Sequence, residues 1–81
     1  MNVIGISADW CDKCKKAKIA LKDFDIEWLD VEKDFRAIDL MDFFNQDYIP
    51  FFVVEDMVEG ELEPIRTFNS YLELGKWLEK I

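Results

Sequence analysis

Apolar and polar positions alternate along this chain with two different periods, and the switches between them mark the elements. Val3–Ser7, "VIGIS", is short and β-branched, which predicts a buried strand. In the following stretch, "CDKCKKAKIALKDF", Cys14, Ala17, Leu21 and Phe24 recur at spacings of three and four. That period predicts a helix with these residues on one face and the lysines mostly on the other. "IEWLDV" (Ile26–Val31) alternates well enough for a second strand, which "EKD" ends. A second helix fits Phe35–Asn45, with Phe35, Ile38, Met41 and Phe44 along one stripe and Asp34 as its N-cap. After "QDYIP", the dense apolar run "FFVVED" predicts a central strand. "MVEGELEP", around Gly60, reads as a hairpin turn and "IRTF" as the returning strand. The last segment, "SYLELGKWLEKI", opens with a capping box of Ser70 and Glu73. Its stripe is Leu74, Trp77 or Leu78, and Ile81.

The predicted order is therefore β-α-β-α-β-β-α. A helix between the first two strands allows them to be parallel neighbours, while the last two are close enough for an antiparallel hairpin. The closure this implies is an α/β fold: a four-stranded mixed sheet with helices on both faces. A chain of 81 residues allows one compact domain, 1–81. With 51% hydrophobic and 15% aromatic residues, it can build a core without staples.

The net charge of −8 argues against nucleic acid as a partner, because phosphates would be repelled by most of the surface. The charge is unevenly placed: Lys13, Lys15, Lys16, Lys18 and Lys22 crowd into ten positions after the first cysteine. A solvated helix face explains such a run, and so does an acidic partner or a glutathione carboxylate. The start, "MNVIGISADW", lacks the basic head and long apolar run of a signal peptide. The longest apolar run, "YIPFFVV", is too short to span a bilayer. The expectation is a soluble, cytoplasmic protein that acts neither on nucleic acid nor in a membrane.

Against that background the only two cysteines, Cys11 and Cys14 in "SADWCDKCKK", carry the chemistry. Cys11 falls at the start of the first helix, where free N–H groups and the helix dipole favour a thiolate. Cys14 lies one turn on, facing inward, close enough to close a ring with Cys11. Asp12 disfavours a neighbouring thiolate, whereas Lys13, Lys15 and Lys16 favour it. Three uses of the pair fit the residues: a redox dithiol, half of a zinc or iron–sulfur site shared between two chains, or a static structural pair. A tetrahedral metal site wants four ligands, and the chain has two cysteines and no histidine. No site for an organic cofactor is visible, so none is expected.

Three segments together resemble the thioredoxin/glutaredoxin family. "SADWCDKCK" is similar to the thioredoxin active-site segment, in which a Trp precedes the first Cys and a Lys follows the second. "LDVEKD" resembles the end of the second strand, and "YIPFFVVED" the segment in which a cis-proline leads into the central strand. The resemblance covers essentially the whole chain in the right order. It lacks the extra β-α unit with which thioredoxins begin, and in length it is closer to glutaredoxins and to the small glutaredoxin-like thioredoxins that serve ribonucleotide reductase.

The resemblance implies a minimal thioredoxin fold and a thiol–disulfide oxidoreductase, a dithiol electron carrier reducing protein disulfides. By it, Cys11 is the nucleophile and Cys14 the resolving thiol. Pro50 is the cis-proline facing the pair, Ile49 pairs its backbone with an extended substrate, and Trp10 covers one side. Asp12, Lys13 and Lys15 tune the pair.

The sequence also departs from the family. Asp-Lys stands between the cysteines where thioredoxins usually have Gly-Pro and glutaredoxins often Pro-Tyr. Gly5 stands where thioredoxins carry a buried Asp that helps move protons, leaving Lys33 or water for that task. Ala8 replaces the Lys, and Phe68–Asn69 the Gly-Gly pair, that help glutaredoxins bind glutathione. These departures favour protein disulfides as substrate and a thioredoxin-reductase-like donor. The alternatives are a glutathione-dependent glutaredoxin and a non-catalytic module sharing a metal through the pair.

Overall fold

Two runs of the chain offer no polar face to water, and in the computed structural model, which describes residues 1–81, they form the centre of one sheet. Strand β1 is Asn2–Ser7 and strand β3 is Phe51–Val58; Val3–Ser7 and Phe51–Val54 are buried throughout. They pair antiparallel, Val3 opposite Val54, Ile4 opposite Val53, Gly5 opposite Phe52 and Ile6 opposite Phe51. Strand β2, Glu27–Asp30, flanks β1 in parallel, and β4, Glu61–Phe68, flanks β3 antiparallel. The sheet order is β2-β1-β3-β4, mixed as expected.

The period-two alternation of the central strands sorts the core into two layers. Val3, Phe52 and Val54 face helices α1 (Asp12–Ala20) and α3 (Tyr71–Lys80), meeting Ala17, Leu21, Phe68 and Leu74. Ile4, Ile6, Phe51 and Val53 face helix α2 (Phe35–Phe43), meeting Leu29, Ala37 and Met41.

Four sequence expectations shift in detail. The helix predicted through Phe24 ends at Ala20; Leu21 is its C-cap, and Phe24 reaches the core from the following turn, its N–H donating to the Leu21 carbonyl at 3.0 Å. On α2 the buried stripe is Ala37 and Met41 with half-buried Leu40 and Phe44, not Phe35 and Ile38, which are exposed. Both stripes have helical spacing. The choice is made by the cap Asp34, whose carboxylate accepts the Arg36 N–H at 2.9 Å, and by the Arg36–Glu27 ion pair at 3.0 Å, which ties the helix to β2. Small Ala37 then faces the sheet and lets the helix approach.

The hairpin turn is only Glu59–Gly60, both at positive φ (53° and 85°), the conformation a two-residue hairpin of matching twist requires. The predicted eight-residue turn is thus mostly strand. Pro64 lies inside β4 beside a register shift at Val54/Glu55, on an edge strand where a missing N–H costs no ladder bond. Finally, Ile81 is exposed, so the α3 stripe is Leu74, Trp77 and Leu78. Ser70 caps α3 by accepting the Glu73 N–H at 3.3 Å.

Gly5 is required by a close approach. A Cβ there would lie 2.7 Å from two ring carbons of Trp28, its partner across β2, and Trp28 in turn packs edge-on to Phe52 with ring centroids 5.7 Å apart. Gly5→Ala should destabilise the fold by about 1–3 kcal/mol, the usual cost of overpacking. Urea unfolding checks this, and the penalty should shrink in a Trp28→Ala background because the two sites share one space.

Candidate active site

The cysteine pair sits where β1 gives way to α1. Cys11 is extended (φ −88°, ψ 106°) and is the N-cap of α1, its Sγ accepting the Cys14 N–H at 3.2 Å. A sulfur thus does what a Ser or Asp oxygen usually does at a helix start. The same bond places Cys11 Sγ at the positive, N-terminal end of the helix dipole. Cys11 and Cys14 are joined as a disulfide, with Cα atoms 5.2 Å apart.

Burial separates the two. Cys14 is 1% exposed and Cys11 6%, and both pack with Ala8 against half-buried Val31 and Ile49. The Cys11 N–H donates to the Ala8 carbonyl at 3.1 Å, which closes the turn ahead of the helix. The Ile49–Pro50 peptide bond is cis, Pro50 is buried, and the Ile49 carbonyl oxygen lies 4.0 Å from Cys11 Sγ. Of the residues singled out in the sequence, Cys11, Cys14 and Ile49 therefore meet directly.

Trp10 and the charged residues lie on the surface around this group. Trp10 is 66% exposed, and its indole N–H donates to the Glu32 carboxylate at 2.6 Å. Asp12 and Lys15 form an exposed pair at 4.0 Å. Lys13 makes no ion pair within 4.0 Å. Lys18 lies over the Trp28 ring, 5.3 Å from its centroid.

The space that a side chain at position 5 would take is filled by Trp28, so this sheet has no room for a carboxylate there. Lys33, the substitute considered above, is engaged elsewhere. Its ammonium lies 2.9 Å from Asp9 and 3.9 Å from Asp30. This ion pair and the Trp10–Glu32 bond tie the loop before Cys11 to the loop after β2. Sequence reasoning missed Glu32, because a contact across 22 positions leaves no periodic signal.

The hydrogen bond from Lys33 holds the Asp9 carboxyl below its ordinary range and raises the Lys33 ammonium.

No family model matches the sequence, and no curated protein sequence matches it. Solved structures do. A thioredoxin from Plasmodium falciparum superimposes with a TM-score of 0.68 at 24% identity, over 96% of this chain and 68% of that one. A thioredoxin from Thermus thermophilus gives 0.66 at 16% identity, over 96% and 70%. A chain from a structure of the thiol-resolving mechanism of yeast mitochondrial 1-Cys peroxiredoxin, via glutathione/thioredoxin systems, gives 0.59 at 23%, over 98% and 76%. At these identities the likeness is one of fold: the chain has a thioredoxin-like α/β fold. No helix is long and apolar enough to cross a membrane.

The Asp9–Lys33 pair gives a pH prediction with a definite sign. A carboxyl held low in the folded state contributes stability above its unfolded value, near pH 4, and loses it as pH falls through the folded value. Lys33→Met should return the Asp9 titration, followed by NMR, to the ordinary carboxylate range and remove that part of the acid dependence.

Proposed function

We propose that this chain is a thiol–disulfide oxidoreductase, a dithiol carrier that reduces protein disulfides through Cys11 and Cys14. One observation carries the reading. Two cysteines able to join as a disulfide stand at a helix N-terminus, the outer sulfur accepting a helix N–H and lying 4.0 Å from the Ile49 carbonyl oxygen ahead of Pro50. The thioredoxin-like fold supports it.

The roles follow from access. Cys11, the less buried, attacks one sulfur of the substrate disulfide as thiolate. The substrate S–S bond breaks, one substrate thiol leaves with a proton, and a mixed disulfide remains on Cys11. Cys14, which substrate cannot reach, loses its proton and attacks Cys11 Sγ, releasing the second substrate thiol. The dithiol has then given up two electrons and become the Cys11–Cys14 disulfide.

An extended substrate segment would pair with the Ile49 backbone over Pro50, with Trp10 on one flank. Lys13 favours the thiolate, and the Asp12–Lys15 pair largely cancels. Recharging needs a two-electron donor, here a thioredoxin-reductase-like enzyme rather than glutathione, in a reducing compartment such as the cytoplasm. Ribonucleotide reductase is one client that the sequence resemblance implies.

Cys11→Ser should abolish reduction of a protein disulfide, and Cys14→Ser should trap substrate on Cys11 as a covalent adduct visible by mass. An active Cys11→Ser protein would reject the assignment. Adducts forming on Cys14 in place of Cys11 would reverse the roles.

A further inference from the structure

Beside the sulfur pair a groove of about 280 Å³ runs between the start of α1 and the start of α3, lined by Lys13, Lys16, Pro50, Asn69, Ser70 and Tyr71. Pro50 carries it to the reactive end of the molecule, since the Ile49 carbonyl ahead of it lies 4.0 Å from Cys11 Sγ. The groove has no carboxylate in its wall. That is unusual in a chain of 18 acids and 10 bases, and every other surface groove carries at least one: Glu27, Asp39 and Glu55 in one, Asp25 and Glu27 in another, Glu79 and Glu73 in the remaining two.

Two of its neutral polar groups already have partners. The Asn69 amide donates to Gln46 at 2.8 Å, and the Ser70 hydroxyl accepts the Glu73 N–H. The two ammonium groups do not: neither Lys13 nor Lys16 has an acidic group within 4.0 Å. They stand three apart on one helix, so their like charges repel, and an anion between them relieves that cost. On the other flank of the pair, next to Trp10, the charge is acidic, supplied by Glu32.

We propose that this groove selects substrates: it receives carboxylate side chains flanking the disulfide of a partner protein, so that acidic disulfide segments are the preferred class. The proposal rests on the redox reading above for its meaning, but binding can be measured without the chemistry. The attraction is between exposed charges, so it shows in low salt and is screened at high salt.

The probes are two peptides of equal length in which Ser replaces the reactive Cys, one with two Glu beside it and one with Gln at the same places. Calorimetry should find the Glu peptide bound roughly three- to tenfold more tightly in low salt, as two exposed ion pairs allow. The preference should vanish at about 0.5 M salt, where the Debye length is only a few Å, and in Lys13→Gln/Lys16→Gln. It should survive in Lys22→Gln, which removes the same kind of charge from the end of the basic run outside the groove.

Equal binding of the two peptides overturns the proposal. So does a preference that persists in the double variant, or one that Lys22→Gln reduces as much, which would be a net-charge effect. Tighter binding of glutathione disulfide without a preference between the peptides would give the groove to a small thiol and also overturn it. The redox reading is judged separately, by whether wild-type protein reduces a disulfide-bonded peptide of the Gln sequence in which the reactive Cys is kept.

Discussion

Val3–Ser7 of β1 and Phe51–Val54 of β3 are buried on both faces, and that constraint organises the rest of the molecule. A sheet whose middle pair is apolar above and below must be covered twice. With 81 residues there is material for only three helices, so two go to one face and one to the other. The pairing of Val3 with Val54 and Ile6 with Phe51 sets which residues face which layer, and a slip of one position would send each set to the opposite layer. Gly5 and Trp28 belong to the same constraint: the missing side chain on β1 is the room in which the indole of β2 lies.

The site is a consequence of this arrangement. β1 ends at Ser7, whose carbonyl accepts the Val31 N–H at 2.8 Å and so ties the exits of β1 and β2 together. The chain must then turn to place Ala17 and Leu21 on the sheet, and Cys11 is the residue at that turn. Its sulfur caps the helix, so the group that orders the local backbone is the group available for chemistry. The cis X-Pro segment enters β3 immediately opposite, because β3 is the neighbour of β1. Charge is then divided about the pair, with Lys13 and Lys16 toward α3 and Glu32 beside Trp10.

Much of this was legible along the chain. The order of elements, the two apolar central strands, the caps Asp34 and Ser70, and the helix-start position of Cys11 all follow from local pattern and local chemistry. What was not legible shares one cause. On α2, Phe35–Ile38 and Ala37–Met41 are both helical stripes, and they are told apart only by contacts between elements, the packing of Ala37 and Met41 on the sheet and the Arg36–Glu27 pair beside it. In the hairpin, β4 is an exposed edge strand held by backbone bonds, so its side chains carry no burial signal and the turn reads as longer than it is.

The sequence by itself therefore determined the fold class and the place of the cysteine pair at a helix start, because period, capping and the strand-to-helix position of a CxxC act over a few residues. Only the tertiary structure decided what surrounds that pair. Trp28 filling the space beside Gly5, Glu32 holding Trp10, Lys33 committed to Asp9, and two lysines left facing a groove without acids are contacts between distant segments. Their energies depend on distances that exist only once the sheet has formed.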